Sequence, residues 1–226
     1  MPVAILVRHG RTPANAQGLL AGWTPGVHLD DIGVEQVAAV SVRLAGIRLA
    51  AVVASPLERT VQTADSIMER QRARTALEID ERFGECRYGD WTNQRLADLA
   101  KLPLWKTVQD RPSAVTFPGG ESLPSMQARA LEAVHDWNAR LGDRAVYAIV
   151  SHGDVIKAIV ADALGMHLDQ FQRIVIDPAS VSVVRYGRQG AQVIHVNDRG
   201  SDLSALGRAP RRRRVEGEVG GGSGER

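Results

Sequence analysis

The feature that most constrains this chain is the alternation of short apolar runs with stretches of helical periodicity. Three of the runs, Val3–Val7, Ala51–Ala54 and Ala145–Val150, have the length and the Val/Ile/Ala content of strands buried on both faces. Between and after them, apolar residues recur at helical spacing. Strands that alternate with helices predict an α/β fold with a largely parallel sheet covered by helices on both faces.

The other predicted elements follow from the same periodicities. Helices are predicted over residues 34–46, 57–70, 93–106, 122–141 and 154–164. Further strands are predicted over residues 76–79, 172–176, 180–186 and 192–196. Ser122 follows the break at Gly119-Gly120, so we expect it to cap the N-terminus of its helix.

Charge divides the chain into a body and a tail. Residues 208–226 contain six arginines and three glutamates, a net +3, whereas the whole chain of 226 residues carries only +2. We therefore predict one domain over 1–207 and a disordered Arg/Gly-rich tail over 208–226, because the Gly220–Gly224 run cannot bury a core. The near-neutral body argues against nucleic acid as a partner, while an Arg tract that contacts an anionic partner stays open.

Several classes of protein are excluded by composition. No apolar run approaches the roughly 20 residues of a membrane helix, and the N-terminus has the pattern of a strand rather than a signal peptide. Cys86 is the only cysteine, which excludes an intrachain disulfide and a cysteine-based metal cage. We expect a cytoplasmic protein with no membrane partner and no metal.

Two predicted strands end in a histidine followed by glycine. His9 follows Val3–Val7 and Arg8, and His152 follows Ala145–Val150. Arg59 lies soon after the end of a third strand. Because ligands bind beyond the carboxyl ends of parallel strands, we expect these side chains to meet in one crevice.

Two imidazoles beside guanidinium groups suit phosphoryl transfer. Arginine forks match the oxygens of a tetrahedral phosphate and stay charged at any working pH. A neutral imidazole is a good nucleophile toward phosphorus, and fixed cations stabilise the charge that develops without a metal. An alcohol leaving group also needs a proton donor.

Four motifs carry a family resemblance. They are Leu6-Val7-Arg8-His9-Gly10-Arg11-Thr12-x-x-Asn15, Ser55-Pro56-Leu57-x-Arg59-Thr60-x-Gln62-Thr63-Ala64, Glu85-x-x-x-Gly89-Asp90-Trp91 and Ser151-His152-Gly153. In this order they resemble the histidine phosphatase superfamily, the phosphoglycerate-mutase-like group, and are most similar to its actinobacterial acid phosphatases and phosphomutases. The resemblance implies a three-layer α/β/α sandwich with a mostly parallel mixed sheet.

The resemblance also implies the catalytic roles. His9 would accept the phosphoryl group as phosphohistidine, His152 would complete the phosphate pocket, and Glu85 would donate the proton. Glu81 is the rival carboxylate, placed second because its spacing to Gly89 does not match the motif.

Substrate binding, cofactors and assembly are implied in the same way. Arg8 and Arg59 would clamp the phosphate oxygens, and Asn15 would line the entrance of the pocket. The resemblance implies no cofactor, a small phosphorylated substrate, and a fold that often forms dimers.

Three functions stay open at this point. The chain is a phosphomonoester hydrolase, a cofactor-dependent phosphoglycerate-type phosphomutase, or a non-catalytic module that binds phosphorylated ligands. A mutase must hold a bisphosphate with extra basic residues, and the segment 92–118 is instead rich in leucine. This favours a hydrolase with a partly apolar substrate, although sugar phosphates, phosphoglycerates, nucleotides and phosphoproteins all remain candidates.

Overall fold

The computed structural model describes residues 1–71 and 75–200. The strands are β1 (Val3–Arg8), β2 (Val52–Ala54), β3 (Leu77–Ile79), β4 (Val146–Ser151), β5 (Val181–Gly187) and β6 (Gly190–Asp198). The helices are α1 (Pro13–Gln17), α2 (Asp31–Leu44), α3 (Glu58–Glu69), α4 (Leu96–Leu99), α5 (Pro103–Asp110), α6 (Leu123–Leu141) and α7 (Gly153–Ala163). Ser122 caps α6 as predicted, since its hydroxyl accepts from Ser125 N at 3.1 Å.

The six strands form one mixed sheet in the order β3-β2-β4-β1-β5-β6. β3, β2, β4 and β1 run parallel, and β5 and β6 add an antiparallel edge. The three strands whose ends carry the predicted chemistry are therefore neighbours, as expected. In the β1–β4 pair, Arg8 lies opposite Ser151, so His9 and His152 leave the sheet side by side.

Successive residues of the central strands feed two separate cores. Ile5 and Val7 pack toward α2 and α3, whereas Ala4 and Leu6 pack toward α6 and α7. This alternation is the consequence of the period-two geometry of a strand. The predicted three-layer α/β/α sandwich with its mostly parallel mixed sheet is confirmed.

The strand predicted over residues 172–176 is wrong. Residues Leu168–Arg173 form a 3₁₀ segment, and the chain then runs without regular structure. Ile174 and Ile176 are both buried, which produced the misleading pattern. β5 already has strands on both sides, and the Ile176 carbonyl accepts from Arg8 Nη1 at 2.7 Å.

The helix predicted over residues 93–106 is two helices, α4 and α5. Pro103 begins α5, and the residue before a proline is disfavoured in a helix, so the chain breaks at Leu102. The short helix α1 was not predicted. The proposed tail, 208–226, lies outside the described residues, and no helix within 1–71 and 75–200 is long and apolar enough to cross a membrane.

We predict that Gly33→Ala destabilises the fold, although alanine is the better helix former. Gly33 lies in α2, and a Cβ there would lie 2.0 Å from the backbone oxygen of Arg11. The clash should lower the free energy of unfolding by about 1–3 kcal/mol, measured by urea denaturation.

Gly46→Ala is the matched control. A Cβ at Gly46 meets no atom within 4 Å, so its free energy of unfolding should stay within about 0.5 kcal/mol of the parent value. An unchanged unfolding midpoint for Gly33→Ala would contradict the close approach of α2 to the loop after β1.

Candidate active site

Two histidines lie at the centre of the candidate site. The ring centroids of His9 and His152 are 5.2 Å apart, with 61° between the ring planes. His9 is 3% exposed and His152 is fully buried. The parallel register of β1 and β4 brings them together, because both residues directly follow their strands.

The hydrogen bonding of His9 fixes its tautomer. Its Nδ1 lies 2.7 Å from the Gly10 carbonyl oxygen, which has no proton to donate, so Nδ1 carries the hydrogen. Nε2 therefore holds the lone pair. Burial, and then the charges of Arg59 and Arg8, lower the pKa of His9 well below its ordinary value. The ring is a neutral imidazole at neutral pH.

His152 has the opposite tautomer. Arg59 Nη2 lies 3.4 Å from His152 Nδ1, and a guanidinium can only donate, so Nδ1 is the acceptor. Nε2 then donates to Ser55 Oγ at 2.8 Å. Burial, followed by the charge of Arg59, lowers the pKa of His152 well below its ordinary value.

Two buried arginines accompany the histidines. Arg8 is fully buried and donates to the Ile176 carbonyl, while Arg59, in the first turn of α3, donates from Nη2 to the Gly22 carbonyl at 2.7 Å. Arg59 Nη1 is buried and has no hydrogen-bond partner among the described residues. Burial lowers the pKa of Arg59 to about 10, which leaves it charged. A buried cation with an unused donor is suited to an anion.

Glu85 adds a buried carboxyl group to the site. It is 4% exposed, and its Oε1 accepts from Cys86 N at 2.9 Å. Burial, and then the charge of Asp154, raise its pKa to about 7. Glu85 therefore holds a proton over a pH range in which an ordinary glutamate has lost it.

An arginine on α6 holds the loop that carries Glu85. Arg129 donates from Nη1 to the carbonyls of Arg82 at 2.7 Å and Gly84 at 2.8 Å, and from Nη2 to that of Glu85 at 3.0 Å. The same guanidinium pairs with Glu121 at 2.6 Å. The backbone around Glu85 is thus fixed from outside the pocket.

A second polar chain lies behind Glu85. The Tyr88 hydroxyl donates to Asp154 Oδ2 at 2.9 Å, and Asp154 Oδ1 lies 3.4 Å from Lys157 Nζ. Asp154 comes two residues after His152, at the start of α7. Asp154 therefore links the segment that carries Glu85 to the one that carries His152.

Some of these groups line one cavity. It is lined by His9, Thr12, Asn15, Gly18, Leu19, Leu20, Ala21, Gly22, Arg59, Glu85, Tyr88 and Leu96. The rival carboxylate Glu81 is not in this lining, and its side chain is 75% exposed.

The structure thus brings the six predicted site residues to one region. His9, Asn15, Arg59 and Glu85 line the cavity, whereas Arg8 and His152 are fully buried and outside the lining. Their roles stay predictions.

The family can now be assigned. The sequence profile of the histidine phosphatase superfamily (branch 1) matches residues 4–199. This chain belongs to that superfamily. It is 31% identical over 175 residues to a glucosyl-3-phosphoglycerate phosphatase from Mycolicibacterium vanbaalenii, over 74% of this chain and 76% of the relative.

Two further comparisons agree with this histidine phosphatase assignment. The chain is 28% identical over 195 residues to phosphoserine phosphatase 1 of Hydrogenobacter thermophilus, over 85% of this chain and 90% of the relative. The solved structure of Bacillus stearothermophilus YhfR superposes with a TM-score of 0.80 at 25% identity, covering 88% of this chain and 98% of YhfR.

Sequence reasoning missed the residues that support the site. Arg129 and Asp154 contact the Glu85 segment from positions more than forty residues away, and no local pattern marks such contacts. Among the described residues, no group of three or more His, Cys, Asp or Glu side chains is placed to hold a metal. Three expectations stay predictions: that the protein needs no metal, that it binds no nucleic acid, and that it is cytoplasmic.

We predict that the two imidazoles stay neutral and keep opposite tautomers. In ¹⁵N-detected NMR from about pH 8 to about pH 5.5, an interval that spans the ordinary histidine pKa of about 6.5, His9 should show a protonated Nδ1. His152 should show a protonated Nε2, because their buried positions beside Arg59 keep both pKa values low.

The signals are assigned from the spectra of His9→Asn and His152→Asn. Titration of either ring to imidazolium within this interval, or a protonated Nε2 on His9, would contradict the geometry described above.

Proposed function

We propose that this histidine phosphatase is a metal-independent phosphomonoesterase that works through a phosphohistidine at His9, with Glu85 as the proton donor. The observation that carries the proposal is the pairing of two neutral groups in one cavity. His9 has its lone pair on Nε2, and Glu85 keeps its proton near neutral pH. A nucleophile and an acid are needed together in these protonation states.

In the first step, the lone pair of His9 Nε2 attacks phosphorus and forms the N–P bond. The bond from phosphorus to the ester oxygen breaks, and that oxygen takes the proton of Glu85, so the product leaves as a neutral alcohol. Arg59 and Arg8, whose charges act on His9, stabilise the phosphoryl oxygens during transfer. His152, whose ring centroid lies 5.2 Å from that of His9, would complete the phosphate site.

In the second step, water attacks the phosphorus of phosphohistidine. Glu85, now a carboxylate, accepts a proton from this water, and the N–P electron pair returns to Nε2. Inorganic phosphate is released, and both residues regain their starting protonation states. The cycle balances without a metal or a cofactor.

Hydrolysis is favoured over mutase chemistry by the position of the basic residues between Trp91 and Gly119. Lys101 pairs with Asp98 and Lys106 pairs with Asp110 on the surface. Arg95 and Arg111 are exposed, and none of the four lines the cavity. A bisphosphate intermediate would find few cations to hold its second phosphoryl group. The alternative, a phosphoglycerate-type phosphomutase, predicts isomerisation of phosphoglycerate without phosphate release.

We predict that His9→Ala reduces phosphate release by at least about 10³-fold, because the covalent route is lost. The assay uses 4-nitrophenyl phosphate with EDTA present throughout. The parent enzyme, quenched during turnover, should carry an acid-labile, base-stable phosphoryl label that is absent from the variant.

His135→Ala, an exposed histidine on α6, is the matched control and should keep full activity. Circular dichroism establishes that both variants are folded. A folded His9→Ala variant with near-parental turnover would place the nucleophile elsewhere.

We predict that hydrolysis of alkyl phosphates is fastest below about pH 7 and falls as the pH rises beyond it. Glu85 must be protonated to donate, and its pKa is raised to about 7, so the active fraction falls once the pH exceeds that value. Glu85→Gln should lower kcat for glycerol phosphate by about 10²–10⁴-fold.

The loss should be much smaller for 4-nitrophenyl phosphate, because nitrophenolate leaves without a proton. Glu81→Gln, which removes an exposed carboxylate four residues earlier in the chain, should leave kcat for both esters unchanged. Equal losses for the two esters, or a rate maximum above about pH 8, would argue against Glu85 as the acid.

A further inference from the structure

The backbone that leads into Glu85 is held by side chains of other elements. Each of the four carbonyls of residues 82–85 accepts a hydrogen bond from a side chain. Ser151 Oγ donates to the Phe83 carbonyl at 2.7 Å, and Arg129 donates to the other three. The position of the Glu85 carboxyl group therefore depends on these contacts.

Arg129 uses all of its donors in this region. Nη1 binds two of the carbonyls, and Nη2 binds the Glu85 carbonyl and Glu121 Oε1. Nε binds Glu121 Oε2 at 3.1 Å, so all five N–H groups of the guanidinium are engaged. We propose that Arg129 is a positioning residue of the reaction, which holds the Glu85 carboxyl group where its proton can reach the leaving oxygen. This inference rests on the proposed function of Glu85.

Glu121 extends the same contact to the other side of Glu85. Its Oε1 accepts from Arg87 N at 2.8 Å, and its own backbone N donates to the Arg87 carbonyl at 2.8 Å. The side chains of Arg129 and Glu121 are mostly buried, with 20% and 14% exposed. Together they fix the chain both before and after the proposed acid.

Helix α6 gives this contact a rigid base. Its residues Met126, Ala130, Ala133 and Val134 are fully buried in the core. A shift of α6 would disturb that close packing. Arg129 therefore ties a loop to an element that does not move easily.

A displaced loop would move the carboxyl group of Glu85. Its Oε1 accepts from the backbone N of Cys86, so the side chain follows the backbone. A general acid must lie within hydrogen-bond reach of the atom it protonates, and a misplacement of about 1 Å can cost about 10²-fold in rate. His9 and Arg59 are instead positioned by β1 and α3, so the attack on phosphorus should be retained.

The effect of Arg129→Gln should therefore depend on the leaving group. We expect kcat/KM for glycerol phosphate to fall by about ten- to hundredfold. For 4-nitrophenyl phosphate, whose nitrophenolate leaves without a proton, the loss should stay below about threefold. We compare kcat/KM because it does not include the later hydrolysis of phosphohistidine, which both esters share.

Arg140→Gln is the matched control. Arg140 lies on the same helix, but its guanidinium is 59% exposed and pairs with Glu78 at 3.1 Å. This variant should leave kcat/KM for both esters unchanged. Equal losses for the two esters in a folded Arg129→Gln variant, or no loss for either, would overturn the inference.

The groups that face Glu85 set the sign of a second measurement. Burial and the charge of Asp154 raise the pKa of Glu85, whereas the charges of Arg59 and Arg8 lower it. Burial raises the pKa values of the neighbouring Cys86 and Tyr88 well above their ordinary values, so both are neutral.

Arg129→Gln should shift the pH dependence for glycerol phosphate toward acid. A loop that lets Glu85 reach water removes the main cause of its raised pKa, which returns toward the ordinary value of about 4.3. The rate then begins to fall at a lower pH than in the parent, since the acid must be protonated. Loss of the Arg129 charge alone would act in the opposite direction. A shift toward alkaline pH would therefore overturn a positioning role.

Two further variants keep the test decisive. Arg129→Lys keeps the charge but loses the planar fork, so it should show the same selective loss to a smaller degree. Parental rates for both esters in this variant would show that charge suffices. If Arg129→Gln fails to fold, Glu121→Gln, which weakens the same contact, should lower kcat/KM for glycerol phosphate more than for 4-nitrophenyl phosphate.

Failure of the inference is distinguishable from failure of the proposed function. If Glu85→Gln affects the two esters selectively and Arg129→Gln does not, Glu85 is the acid and the positioning role is wrong. If Glu85→Gln lowers both esters equally or changes neither, the acid assignment fails and the inference fails with it.

Discussion

The parallel pairing of β1 with β4 is the interaction on which the site depends. Arg8 lies opposite Ser151 at the end of the pair, so the next residue of each strand is a histidine at the same height and on the same edge. A register shift of a single residue would send one of the two side chains to the other face of the sheet. The backbone hydrogen bonds of the sheet thus set the 5.2 Å separation of the two rings before any side-chain contact is considered.

Burial shifts the pKa values of the histidine and the carboxyl group in opposite directions. Removal from water disfavours the charged form, which lowers the pKa of His9 and raises that of Glu85. The positive charge of Arg59 adds to the shift on His9 and opposes the shift on Glu85. Asp154 supplies the charge that keeps the Glu85 pKa high despite the two arginines. His9 is neutral and Glu85 keeps its proton near neutral pH because both side chains are buried and the charges around them are unevenly placed.

The sequence was sufficient to predict the central strands and the side chains that meet at their ends, and insufficient to predict the residues that support them. His9 and His152 were predictable because each follows an apolar strand and is followed by glycine, which are local patterns. The false strand over 172–176 arose from the same kind of pattern, since Ile174 and Ile176 are buried without a free strand edge to pair with. Arg129 escaped prediction because its partners in the Glu85 loop are the backbone carbonyls of Arg82, Gly84 and Glu85, and a carbonyl has no signature in sequence. The supporting contacts could not be predicted because they join residues that are far apart in the sequence.

The contacts around the Glu85 loop explain how a residue outside any helix or strand can stay buried and keep its proton near neutral pH. Glu85 lies between two 3₁₀ segments, outside any helix or strand, and a loop carboxyl would normally move toward water. Here Arg129 engages three carbonyls of that loop, and Trp23 Nε1 donates to the Glu85 carbonyl at 2.5 Å, so the backbone has little freedom to swing outward. The raised pKa of Glu85 exists only while its side chain stays buried. The contacts of Arg129 and Trp23 with this loop therefore also maintain the pKa shift. Helix α6 thus holds Glu85 in place although none of its residues lines the cavity, and the sheet sets the position of His9.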